Sequence, residues 1–273
     1  MSDARPIGVF DSGVGGLTVA RALMEHIPGE SLVYIGDTAR FPYGPRSVEE
    51  IRRFGMQIAD ELIGLDVKML VVGCNSVEVS AIDQIADRHG VPVIGVVEPG
   101  ARAAARATRS GRVGMIGTEA TVRSGAYDRA MADAGPGDTL VSAACPVFVE
   151  HVESGDTRSD ELRRAARLYL GPLMDADIDT LILGCTHYPL LSALLRSVVG
   201  EDVVQVSSAE ETANDVASRL HAGGLATDAT EPRHRFLTTA QARTFDGLAA
   251  LFLGSDHGTV HAEHLDLAEA AWN

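Results

Sequence analysis

Two cysteines stand in the same local context. Lys68-Met-Leu-Val-Val-Gly-Cys74-Asn-Ser and Asp179-Thr-Leu-Ile-Leu-Gly-Cys185-Thr-His each read as an apolar strand, then Gly-Cys, then two hydrogen-bonding side chains, then a helix, and the copies lie 111 residues apart. A thiol suits proton transfer in either direction, because its pKa near ~8.5 is easily lowered by a helix N-terminus or a nearby cation. The spacing places both thiols at strand-to-helix junctions, where backbone amides favour a thiolate. Open parallel sheets bind ligands beyond the carboxyl ends of their strands. Two such ends facing each other would form a cleft with a thiol on each wall. Groups of matched basicity on opposite walls can take a proton from one face of a carbon acid and return one to the other. A positioned general base is worth about 10²–10⁴-fold. The default for a lone free cysteine is a buried core position, and Cys145, before Pro146 in an apolar stretch, is read that way.

Other residues could serve the same cleft. Phe10-Asp-Ser-Gly-Val-Gly-Gly16 follows a strand and opens a helix, so it is either a capped tight turn or a loop presenting Asp11 and Ser12. A carboxylate there would bind an ammonium group or assist proton transfer at a thiol. Asp37 lies at a distance that a dinucleotide fingerprint would use, but the third glycine position is Thr18, which argues against a nicotinamide or flavin cofactor. Tyr43 and Gly44 offer a hydroxyl and a backbone amide for a carboxylate, or else form a turn fixed by Pro42. Thr118, in Gly117-Thr-Glu-Ala-Thr121, would bond a carboxylate or cap the next helix. His187 would polarise Cys185 or donate to a carboxylate, and Glu153, after the helix-like Pro146–Val152, is an acid/base candidate. His257, His261 and His264 have neither cysteines nor clustered carboxylates beside them, so no metal site is expected. Lys68, the chain's one lysine, sits just before a strand and does not suit a Schiff base. No cofactor is expected.

The elements that must position these residues alternate. Strands are predicted at Ile7–Phe10, Ser31–Ile35, Met69–Val72, Val91–Val96, Arg112–Ile116, near Leu140–Ala143, Thr180–Leu183, Val203–Val206, Arg235–Thr238 and near Thr259–His264. Helices are predicted at about Leu17–His26, Ser47–Leu65 with Ser47 as N-cap, from the third strand to His89, Ala101–Thr108, Thr121–Ala134, Ser159–Met174, after Pro189, Ala209–Leu220 and Phe245–Phe252. His221–His234 reads as an exposed loop. The fold class is α/β, with two similar halves, each a mainly parallel sheet flanked by helices, and the site in the cleft between them. The 38 acidic against 23 basic residues give a formal charge of −15. That balance argues against direct nucleic-acid or anionic-membrane binding and leaves a small anionic substrate open. No signal-peptide pattern and no run of transmembrane length is present. Three cysteines make no disulfide framework, so a cytoplasmic location is expected.

Taken together, Phe10-Asp-Ser-Gly-Val-Gly-Gly-Leu-Thr18, Gly36-Asp-Thr-Ala-Arg-x-Pro-Tyr-Gly44, Cys74-Asn-Ser76 and Leu183-Gly-Cys-Thr-His-Tyr-Pro189 closely resemble, in order, the motifs of the glutamate racemases in the aspartate/glutamate racemase family. Gly117-Thr-Glu-Ala-Thr-Val-x-Ser124 and Cys145-Pro-x-Phe-Val-x-x-Val-Glu153 resemble further family segments, so the likeness spans roughly residues 7–220. The resemblance implies cofactor-independent interconversion of L- and D-glutamate, supplying D-glutamate for peptidoglycan, with Cys74 and Cys185 as the proton-transfer pair. It implies that Asp11, His187 and Glu153 assist, and that Asp11, Ser12, Tyr43, Gly44, Asn75, Ser76, Thr118, Thr186 and His187 bind or orient the substrate. It also implies a discontinuous first domain, 1–97 with 208–273, around a second at 98–207. The partner is the small-molecule substrate, with a homodimer left open. The rival readings are a racemase for aspartate or another small acid, and a binding relative, some family members being gyrase inhibitors. The chain departs from the family at Ser76, where threonine is usual, and at Val77-Glu78-Val79, where small residues follow. A Glu78 carboxylate facing the cleft would oppose thiolate formation, so it is expected to point elsewhere.

Overall fold

Short apolar runs bounded by Gly, Pro or Asp alternate with amphipathic ones, and that alternation builds the chain. The structure, a computed structural model, describes residues 2–254 and 260–267. It opens with β1 (Ile7–Asp11), α1 (Leu17–His26), β2 (Leu32–Gly36), α2 (Val48–Gly64), β3 (Met69–Val72), α3 (Asn75–Arg88) and β4 (Val93–Ile94). A second series follows: α4 (Val97–Ala107), β5 (Arg112–Gly117), α5 (Glu119–Ser124), α6 (Ala126–Ala134), β6 (Thr139–Ala144), α7 (Phe148–Glu153), α8 (Asp160–Asp175), β7 (Thr180–Gly184), a 3₁₀ turn (Tyr188–Leu191), α9 (Ser192–Val199) and β8 (Val204–Val206). The last elements are α10 (Ala209–Gly223), β9 (Arg235–Thr238), α11 (Ala242–Leu253) and β10 (Glu263–His264).

The two series have the same topology. One sheet runs β10-β9-β2-β1-β3-β4 and the other β6-β5-β7-β8, with every pairing parallel. Stripped of β9 and β10, the first has the strand order of the second, so the Gly-Cys echo in the sequence extends to the whole sheet. Cys74 follows β3 and Cys185 follows β7, and these are equivalent strands. The return segment adds β9 to the free edge of β2, in register from Val33 opposite Arg235 to Gly36 opposite Thr238.

The structure moves several predicted boundaries. The strand expected at Val91–Val96 is only Val93–Ile94, because Val96 already has helical dihedrals and α4 begins at Val97. Glu98-Pro99-Gly100, which precede the helix expected from Ala101, are inside the first turn of α4, where proline costs little because its missing N–H would be unpaired anyway. The single helix expected over Thr121–Ala134 is two, since Gly125 adopts a left-handed φ of 62° that ends α5 and starts α6. Helix α10 continues to Gly223, and residues 225–227 of the expected exposed loop are half-buried. Ser47 caps α2 in a full capping box with Glu50. Thr259, and with it the start of the last predicted strand, lies outside the described residues. No described helix is long and apolar enough to cross a membrane.

The half-buried loop is held by Lys68. This lysine lies fully buried at the foot of β3, 2.6 Å from the Glu30 carboxylate. It also donates to the carbonyls of Asp3 at 2.7 Å and Leu225 at 2.8 Å. Glu30 in turn accepts from the Thr227 N–H at 2.9 Å. The pair therefore ties the N-terminal segment and the loop after α10 to the sheet, on the side opposite the cysteines. Breaking a buried pair strands one charge in a dry interior. Lys68→Met alone should lower the unfolding free energy by about 3–5 kcal/mol, and Lys68→Met with Glu30→Leu should recover most of that. A urea melt unmoved by the single substitution would show that the pair does not hold the loop.

Candidate active site

Every strand that ends at the cleft contributes a wall to one cavity of about 150 Å³, the size class that admits a small molecule such as benzene (~150 Å³). Ser12 follows β1, Tyr43 and Gly44 follow β2, and Cys74, Asn75 and Ser76 follow β3. From the other sheet, Thr118 follows β5, and Cys185, Thr186 and His187 follow β7. The two thiols thus share one cavity from equivalent points of two equivalent sheets. Two expected residues stand just behind the wall. Asp11 is buried and accepts from the Gly13 N–H at 2.8 Å and the Thr186 hydroxyl at 3.3 Å. Glu153, ending α7, accepts from His187 Nε2 at 3.0 Å.

The thiols have different surroundings. Cys74 is the N-cap residue of α3 and donates to the Ser12 hydroxyl at 3.6 Å. Burial, and then the nearby Asp11 charge, push its thiol up to about 12. The expectation that a helix N-terminus would favour a thiolate is therefore reversed here: desolvation outweighs the amides. Cys185 precedes only a 3₁₀ turn, with α9 starting seven residues later, and its sulfur lies 3.8 Å from His187 Nδ1. Burial opposes a cation on His187, yet Cys185, Glu153 and Asp11 outweigh burial and hold its pKa up at about 10. Asp11 is raised by burial, against the pull of His187. Cys145 is fully buried and its thiol is pushed up by burial, as befits a core residue.

The remaining expected residues knit the two sheets together. Asn75 donates to the Tyr127 hydroxyl at 2.9 Å, and Ser76 shares a 2.9 Å hydrogen bond with Thr118. Thr118 caps α5, the second of its two sequence readings, and also lines the cavity. Glu78 points away from the cavity, as expected, toward Val96 and Val97.

Sequence reasoning missed several participants. Asp37, weighed only as part of a dinucleotide fingerprint, is buried and accepts from the Tyr43 hydroxyl, from Arg40 at 2.6 Å and from Thr239 at 2.8 Å, so it aims the Tyr43 loop. Phe41 and Phe252 flank the His187 ring at 5.9 and 5.4 Å. Glu150 and Val149 line the cavity, and their signal was helical spacing, one turn before Glu153 on α7. Phe252 comes from the return segment and left no local signal. Among the described residues no group of three or more His, Cys, Asp or Glu side chains could hold a metal. His261 is exposed and His264 bonds Ala240 and Asp266, while His257 lies outside the described residues.

The family model for Asp/Glu/hydantoin racemases matches residues 17–216 of the chain. A glutamate racemase from Parafrankia sp. is 53% identical over 253 residues, covering 92% of this chain and 91% of that one. The crystal structure of a glutamate racemase isoform from Bacillus anthracis superposes with a TM-score of 0.91 at 42% identity, covering 96% of this chain and 98% of that one. A glutamate racemase from Francisella tularensis, solved in complex with D-glutamate, gives a TM-score of 0.88 at 33% identity over 97% of this chain and 98% of that one.

Proposed function

Because the chain belongs to the Asp/Glu/hydantoin racemase family and is a glutamate racemase within it, we propose that Cys74 and Cys185 interconvert L- and D-glutamate by two-thiol acid/base catalysis without a cofactor. The observation that carries this reading is the placement of both thiols on one small cavity, each after the same strand of its sheet. One thiolate takes the α-proton from its face of the substrate while the opposite thiol gives a proton to the other face. Burial makes the Cys74 thiolate scarce but strongly basic. The substrate ammonium, bound near Asp11, places a cation beside Cys74. On the other wall, His187, paired with Glu153, exchanges a proton with Cys185. Ser12, Tyr43, Gly44, Asn75, Ser76, Thr118 and Thr186 offer hydroxyl and amide donors to the two carboxylates of glutamate. Lys68, with its ammonium spent on Glu30 and two carbonyls, is not an amine for a Schiff base.

On this reading the chain has a discontinuous first domain, 1–97 with 208–273, and a second at 98–207. It works in the cytoplasm, where D-glutamate is supplied to peptidoglycan, as a monomer or homodimer with no direct nucleic-acid or membrane partner.

Circular dichroism of L- and D-glutamate and of both aspartates, with protein dialysed against chelator and no cofactor added, tests the assignment. Glutamate should turn over, and its specificity constant should exceed that for aspartate by at least tenfold. A shorter side chain leaves buried donors unpaired at about 1–3 kcal/mol each. Equal constants for the two acids would overturn the substrate, and activity that returns only with an added cofactor would overturn the mechanism.

A further inference from the structure

Helix α4 has no cap of its own. Its N-cap residue is Val96, whose side chain has nothing to offer the first N–H groups of the helix. The cap comes instead from Glu78 on α3. One carboxylate oxygen accepts from the Val97 N–H at 3.0 Å and from the Val96 N–H, and the other from Val97 at 3.1 Å. The carboxylate lies against Gly95 so closely that a Cβ there would stand 2.2 Å from its carbon.

This contact joins two functional parts. The Glu78 N–H closes the first turn of α3 on the Cys74 carbonyl at 2.9 Å, so Glu78 is one turn from the thiol. Helix α4 is the element by which the chain leaves the first sheet for the second. Asn75 and Ser76, in the same turn of α3, reach Tyr127 and Thr118 beyond that crossing. The turn that carries Cys74 is therefore the joint between the two sheets.

We propose that Glu78 is a positioning residue for racemisation: a carboxylate latch from the Cys74 helix onto α4 that fixes the separation of the two thiols across the cavity. The inference rests on the two-thiol reading. Burial pushes the Glu78 carboxyl up to about 8, while its hydrogen bonds to the Val96 and Val97 N–H groups pull it down.

Racemisation needs both thiols at once, whereas elimination from 3-chloroglutamate needs one. In that reaction a thiolate takes the α-proton and the carbon–chlorine bond breaks, with chloride leaving on its electron pair. The resulting enamine tautomerises and is hydrolysed to 2-oxoglutarate and ammonium. Both rates are measured for the wild type, Glu78→Ala, Glu78→Gln and Gly95→Ala, with both enantiomers of each substrate. A misplacement of about 1 Å can cost on the order of 10²-fold. Glu78→Ala should therefore lose at least tenfold in racemisation kcat while elimination stays within threefold of wild type. Gly95→Ala, which displaces the carboxylate without removing it, should show the same split. Glu78→Gln, which keeps an acceptor oxygen, should restore the ratio of the two rates to within about twofold of wild type. Equal losses in both reactions, or no loss in either, for Glu78→Ala and Gly95→Ala would overturn the latch. If Glu78→Ala does not fold, the Gly95→Ala and Glu78→Gln ratios decide alone. A wild type that eliminates but does not racemise would instead sink the two-thiol reading.

Discussion

Cys74→Ser and Cys185→Ser should each lose racemisation by about 10²–10⁴-fold or more, the worth of a positioned base, yet differ sharply in elimination. A serine hydroxyl is too weak an acid to serve as a base here and can at best return a proton. The resemblance to the glutamate racemases implies that Cys74 serves the D-enantiomer and Cys185 the L-enantiomer. Cys74→Ser should then still eliminate chloride from the L-analogue, and Cys185→Ser from the D-analogue. The surroundings add a further expectation. Cys185 has the His187 and Glu153 side chains as a proton relay, whereas Cys74 has Ser12, the Val77 N–H and the nearby Asp11 but no histidine. His187→Asn should therefore slow deprotonation of the L-enantiomer more than of the D-enantiomer. Full racemisation by both serine variants in deuterated water would refute the mechanism, and reversed enantiomer preferences would refute only the assignment of faces.

Gly15→Ala should be nearly as damaging, although Gly15 supplies no functional group. A Cβ at this position would lie 2.4 Å from both His187 Nδ1 and the Thr186 hydroxyl. Neither neighbour can easily retreat. His187 is hydrogen-bonded to Glu153 and flanked by Phe41 and Phe252, and Thr186 is bonded to Asp11. The loop after β1 would have to back away from the β7 wall, parting Asp11 and Ser12 from the groups they face. A shift of about 1 Å should cost on the order of 10²-fold in kcat, with circular dichroism still reporting a folded chain. Gly13→Ala is the control. Its Cβ would meet Phe41 at 3.0 Å and Glu153 at 3.4 Å, a crowding that a ring rotation can relieve, so the loss should stay within about tenfold. Unchanged turnover in Gly15→Ala would mean that the two walls tolerate more slack than this packing implies.

Such contacts mark where sequence reading stops. The thiols were legible because their context is printed twice, and the strand–Gly–Cys pattern fixes where a parallel sheet presents them. The alternation of elements was legible because hydrophobic period is a local signal. The α4 boundary was not, because its cap is Glu78, eighteen residues earlier in the chain. The role of Asp37 was not, because its partners include Thr239, brought alongside only when β9 pairs with β2. The raised Cys74 pKa was not, because it measures how completely the folded chain excludes water, whereas sequence shows only the helix terminus beside the sulfur.

The strand order of the larger sheet also sets a timetable. Its central strands are complete by residue 94, but β9, which covers the edge of β2, begins only at Arg235. At a ribosomal pace of ~5–20 residues per second, the intervening stretch takes on the order of ten seconds to emerge. Until then β2 offers unpaired backbone groups along one side, an invitation to pair with a neighbouring nascent chain. The face of α1 that meets α10 and α11 also stays bare over that interval. The smaller sheet, built from one uninterrupted stretch, has no such wait. It can fold while the larger one is still open, which makes the β2 edge the place where a chaperone would help most and where a slowed ribosome would do most harm.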